Sequence, residues 1–181
     1  MGYYRQIHKA PRSCRVKAMS EIWVRLVPKN EQYIPSKEAV TLAVKYFCKE
    51  INSWSYDEEL EETALDDEVK AEVFSTLTFF DAGTNDEGTI FCPSCGQALD
   101  FESLMEWQEE DEDDTLGYKF ESRLLECCGE SATLRELEYN YDQGFGYFCL
   151  EGIIDTSLNP EQIAAFERIL DCSLRVIYQA I

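Results

Sequence analysis

Histidine is almost missing from this chain of 181 residues, where His8 stands alone. Its scarcity removes the commonest general base and any Ser-His or Cys-His nucleophile pair from the body of the protein. No apolar run is long enough to cross a membrane or to serve as the core of a signal peptide. A phosphate-binding loop needs Gly-x-x-x-x-Gly-Lys-Ser/Thr, and no segment has that form. Basic residues are scarce as well: 16 lysines and arginines face 36 acids, a formal net charge of -20. A surface of that sign repels phosphate backbones before contact, so no nucleic-acid partner is expected.

Cysteine, by contrast, is plentiful, with eight in the chain. Four of them fall in two clusters, Cys92-Pro-Ser-Cys95-Gly96 and Cys127-Cys128-Gly129. A Cys-x-x-Cys-Gly turn curls both sulfurs inward, and its glycine accepts the positive φ that ends the turn. Pro93 stiffens the first turn by fixing its own φ. Two such turns face to face offer tetrahedral thiolates about 2.3 Å from a zinc ion. We therefore expect zinc, with Cys92, Cys95, Cys127 and Cys128 as ligands. The second cluster departs from the pattern, since a regular turn would place a cysteine at Leu125. Cys127 is the nearest substitute for the fourth ligand, and Cys149, on an expected strand, is the reserve. A thioredoxin-type redox pair at Cys92 and Cys95 would need a βαβ setting. The glycine after the second cysteine and the distant partner cluster argue against it. Cys14, Cys48 and Cys172 read as ordinary thiols, the last two as small buried hydrophobes. Reduced thiols and a thiolate site imply a reducing, cytoplasmic setting.

Hydrophobic residues make up 45% of the chain and aromatics 13%, enough for a packed core. Residues 1–18 hold five basic residues and no acid, leaving -25 for the rest. We read them as a basic, poorly ordered leader ahead of Met19, and residues 19–181 as one α+β domain. Its expected architecture is a mixed or antiparallel sheet with two main helices and an inserted zinc-ribbon-like module at about 89–137. Ile22 to Val27 is a β-branched strand stopped by Pro28. Ser36 caps a helix whose buried stripe is Val40, Val44, Phe47 and Ile51. Val69 to Phe80 alternates with both faces apolar, as a central covered strand does. Phe101, Leu104 and Trp107 mark a short helix, and the six acids Glu109 to Asp114 read as a solvated loop. Tyr118 to Leu125 is expected to return as a strand, and Thr133 to Glu136 is a capping box. Leu137–Tyr141 and Phe145–Ile154 look like a hairpin. Asn159-Pro160-Glu161-Gln162 opens a second main helix, and Leu174 to Ile181 closes as a strand.

The segments Val24 to Pro28, Asp81-Ala82-Gly83, the two cysteine clusters, Leu134 to Tyr139, Gly144-Phe145 and Leu174 to Ile177 also carry a resemblance. Together they resemble a bacterial zinc-ribbon family with a Cys-Pro-x-Cys-Gly…Cys-Cys-Gly signature, sometimes labelled sugar ABC transporter ATPase. The resemblance spans most of residues 19–181 and implies that Cys127 and Cys128 both matter. It does not carry the label over, because the phosphate loop is missing.

Two functional expectations follow. The first is a non-catalytic, zinc-stabilised acidic module that binds a basic protein, as toxin-neutralising immunity proteins do. The alternative is a zinc-dependent hydrolase, which requires one zinc position to stay open.

Overall fold

The structure, a computed structural model, describes residues 22–51, 69–82, 89–113 and 115–180. The leader with His8 and Cys14, most of the acidic stretch after Tyr56, and the Asn85–Gly88 turn lie outside them. The chain runs β1 (Ile22–Pro28), α1 (Lys37–Tyr46), a wide π turn (Phe47–Ile51), β2 (Val69–Asp81) and β3 (Ile90–Phe91). It continues through α2 (Phe101–Asp111), β4 (Glu112–Asp113), β5 (Gly117–Tyr118), β6 (Arg123–Leu124) and β7 (Ser131–Ala132). A 3-10 turn (Leu134–Glu136), β8 (Glu138–Tyr139), β9 (Gln143–Ile154), α3 (Pro160–Leu170) and β10 (Leu174–Ala180) complete it. The α+β class expected from the sequence is what forms. The two main helices form as α1 and α3, and the short helix expected between the cysteine clusters forms as α2, reaching 11 residues.

Six strands make one mixed sheet in the order β10-β1-β9-β2-β5-β4. The pairing is antiparallel except where Leu77 of β2 meets Gly117 of β5 in parallel. One face carries α1 and α3. Ser36 Oγ accepts the Ala39 N–H at 3.2 Å and starts α1. Asn159 and Gln162 exchange bonds of 2.9 Å to start α3, with Pro160 at its first position. The apolar stripes then meet: Phe166 packs on Phe47 and Tyr46, with Val24, Leu26, Phe148 and Leu150 beneath. A smaller cluster of Val27, Phe80, Cys149 and Ile177 forms separately.

The doubly covered strand is β9, with nine of its twelve residues buried. The expected central strand, β2, is less uniform. Its register on β9 shifts between Val73 and Thr78, and Val73 is 49% exposed beside that irregularity. A shift of this kind re-aims the side chains that follow, so strict alternation fails.

Two further expectations are corrected. Leu137–Tyr141 and Phe145–Ile154 do not form a hairpin: β8 pairs with β3, and β9 pairs with β1 and β2. Asn140 fixes that choice, because its Oδ1 accepts the Thr89 N–H at 2.7 Å while its own N–H donates to Thr89 O. Nor is Tyr118 to Leu125 one strand. It breaks at Phe120, whose φ of 55° is left-handed. The cause is Asp111, buried to 1% exposure, whose two carboxylate oxygens accept the N–H groups of Phe120 and Glu121 at 2.8 Å each. The described part of the acidic run, Glu109 to Asp113, is therefore the end of α2 and a short strand, with Asp111 inside the protein.

An aromatic seam joins the cysteine-bearing region to the sheet. Phe79 and Phe145, with ring centroids 4.8 Å apart, meet Tyr118, Phe120 and Tyr139 at 4.9–6.2 Å. Arg135 lies 3.8 Å over the Phe120 ring and pairs with Glu31 at 2.8 Å, closing the seam from outside.

Candidate metal centre

Each cysteine cluster sits on a turn defined by backbone bonds. In the first, the Cys92 N–H donates to Gln97 O and the Gly96 N–H to Cys92 O, both at 2.9 Å. In the second, the Leu125 N–H donates to Glu130 O and the Gly129 N–H to Leu125 O, both at 2.8 Å. The glycines match too, at φ 71° for Gly96 and 75° for Gly129. The same turn is therefore built twice, with Leu125 standing where Cys92 stands and Cys128 where Cys95 stands. Leu125 is buried with Ile90, Leu104, Trp107 and Leu134, so that place has become core. The missing sulfur comes instead from Cys127, in the position that Ser94 holds in the first turn.

The four sulfurs converge. Cys92 and Cys128 are 3.6 Å apart, Cys95 and Cys127 also 3.6 Å, and Cys127 and Cys128 3.9 Å. All four ligand atoms lie within 4.8 Å of one another. Thiolates at about 2.3 Å around a tetrahedral ion stand about 3.8 Å apart, so the spacing fits a single metal ion. None of the described cysteines is in a disulfide. The reserve ligand Cys149 is not part of the group. It is buried on β9 beside Val27 and Phe80, where burial pushes its thiol far above the ordinary range.

The sulfurs are electrostatically unequal. Burial opposes charge on Cys92, but the N–H groups of Cys95 and Ser94, with the Cys95 and Cys128 thiols, bring it down to about 6. Cys128 receives the Glu130 N–H, yet burial and contact with Cys92 leave it above its usual value. Cys127 has no backbone donor among its influences: burial and the neighbouring thiols push it up to about 12. A divalent ion overrides such differences by displacing the protons outright.

Beside the turns lies a cleft of about 520 Å³. Leu99, Leu104, Trp107 and Leu125 are among its walls, and Cys127 opens onto it. Its charged members are Asp100, Glu106, Glu110, Glu126 and Arg123. Asp100 caps α2 through the Ser103 N–H at 2.9 Å. Arg123 pairs with Glu110 at 2.6 Å and lies 5.4 Å over the Trp107 ring. Among the described residues, no hydrogen-bond acceptor reaches the buried Trp107 Nε1. Sequence reasoning missed this cleft and Asp111 alike. Nothing in six consecutive acids marks the one that folds inward.

Fold and site together define an α+β protein in which two turns outside the six-stranded sheet form a four-cysteine centre able to hold a metal ion. No family model, curated protein or solved structure matches the chain. Among the described residues, no helix is long and apolar enough to cross a membrane.

Proposed function

We propose that this is a non-catalytic protein-binding module, stiffened by zinc, whose acidic surface meets a basic protein in the cytoplasm. One observation carries the zinc reading: four sulfurs at the mutual spacing of a tetrahedral thiolate site. Sulfur-only sites of this geometry favour zinc over the harder cations, and four protein ligands leave no position for activating water. The near-absence of histidine supports a structural role. The net charge of -20 supports a basic partner, through steering that weakens as salt rises. Immunity-type neutralisation of a basic toxin fits that charge and size, and the zinc-ribbon resemblance fits the cysteine turns.

Elemental analysis of freshly purified protein should find one zinc per chain, and Cys95→Ser should lower its melting temperature. Metal-free protein of unchanged stability refutes the zinc reading. Capture of one basic protein, with association slowing steeply as salt rises, tests the binding role.

The alternative, a zinc-dependent hydrolase, draws on one feature: Cys127 lacks backbone support and borders the cleft. Cobalt substitution separates the two readings, because four thiolates in the cobalt spectrum leave no open position.

A further inference from the structure

The cleft beside the cysteine turns joins two features. Its inner walls are aliphatic and aromatic, from Leu99, Leu104, Leu125 and Trp107. Its charged members are four carboxylates against one arginine. That arginine is already engaged, by Glu110 at 2.6 Å and by the Trp107 ring. Asp100 is spent on the helix cap. The carboxylates of Glu106 and Glu126, both exposed, have no ion pair or side-chain hydrogen bond among the described residues. Cys127 adds negative charge from a further side, since four thiolates around a divalent ion keep a net double negative charge.

A long aliphatic stem ending in a cation answers both features, with its methylenes on the leucines and its head at the carboxylates. A volume of about 520 Å³ admits one such side chain with its flanking backbone. The choice between the two long cations follows from Trp107. Its ring face is already covered by Arg123, so the stacking platform that favours a guanidinium is taken. A compact ammonium needs no such platform.

We infer that this cleft seats a lysine side chain of a protein partner, between the unpaired carboxylates of Glu106 and Glu126 and the apolar wall of α2. This deepens the protein-binding reading above and rests on it.

The test uses the metal-loaded full chain, titrated at low salt with the peptide acetyl-Gly-Lys-Lys-Gly-Lys-Gly-amide while the indole N–H signals are followed by NMR. The Trp107 indole signal should move. The double variant Glu106→Gln and Glu126→Gln should weaken binding at least tenfold, and a norleucine version of the peptide should not bind. A matched pair away from the cleft, Glu38→Gln and Glu161→Gln, should change affinity less than twofold. Equal weakening by both pairs overturns the cleft and leaves a diffusely acidic binding module standing. Spermidine binding as tightly, with the same sensitivity to Glu106 and Glu126, assigns the cleft to a small polyamine and overturns the protein seat. Absence of peptide binding while a basic protein is still captured refutes the cleft alone; absence of both refutes the parent reading as well.

Discussion

Replacing Asp111 by alanine tests the reasoning where its magnitude can be worked from geometry. The carboxylate is 1% exposed and accepts two backbone N–H groups at 2.8 Å. A hydrogen bond to a charged group contributes about 1.5–3 kcal/mol net. The same two bonds hold Phe120 at φ 55°, a left-handed conformation costing a bulky residue about 1–2 kcal/mol. Alanine leaves two inward amides unpaired and nothing to offset that strain. The expected loss is about 3–6 kcal/mol, a large share of the 5–15 kcal/mol that typically separates folded from unfolded. Asparagine keeps the shape and one good acceptor, so it should cost about half as much. Phe120 is also the ring under Arg135 and against Phe145, so the seam between sheet and cysteine turns should loosen first. Urea unfolding of the metal-loaded protein gives the energies, and near-ultraviolet circular dichroism reports the aromatic seam. A loss below about 1 kcal/mol for Asp111→Ala, or an Asp111→Asn variant no better than alanine, refutes the argument.

Metal uptake should release protons in a defined direction. Without metal at about pH 7.5, Cys127 near 12 and Cys128 above its ordinary value hold theirs, whereas Cys92 near 6 is already a thiolate. Binding one divalent ion should therefore release at least two protons, and affinity should fall as pH drops, more steeply below about 6. Calorimetry in buffers of different ionisation enthalpy counts them, and a release below one proton contradicts the assignment. Gly96 and Gly117 should respond differently to alanine. Both have positive φ, but a Cβ at Gly96 meets nothing within 4 Å, while one at Gly117 comes within 2.7 Å of the Leu77 backbone nitrogen. Thermal melts should show about 1–2 kcal/mol lost at Gly96 and about 3 kcal/mol or more at Gly117, and equal costs refute the account. In acid, Asp100 and Glu136 are held below the usual carboxylate range by the N–H and hydroxyl groups of Ser103 and Thr133. Their depressed values mean stability present at neutral pH and lost as pH falls through them, so Asp100→Asn with Glu136→Gln should flatten the acid end of the stability curve. An unchanged acid limb would count against those caps.

What could be read in the sequence follows the range of each physical signal. Helix starts were legible because they are local: Ser36 and Asn159 act within one turn, and both cap as expected. Strand positions were legible for β1, β9 and β10, whose apolar residues recur over long runs. Strand partners were not. Two residues such as Glu138 and Tyr139 carry too little pattern to show that they pair with Ile90 and Phe91. Cys92, Cys95 and Cys128 follow from a motif whose glycines dictate the turns. The choice of Cys127 over Cys149 needed the backbone, because only the paired bonds at Leu125 and Gly129 show which way the second turn faces. The acidic cleft assembles from α2 and the second turn, which no single stretch of chain reveals.

The relocation of one sulfur from the place of Leu125 to that of Cys127 has a bearing on how such proteins are recognised. A pattern requiring two Cys-x-x-Cys units passes over this chain, although both of its loops close with the same pair of amide-to-carbonyl links. What persists is the loop's own scaffolding and its terminal glycine; the donor atom is a movable attachment. Surveys that score main-chain closure first and sulfur position second should gather chains that letter-matching keeps apart.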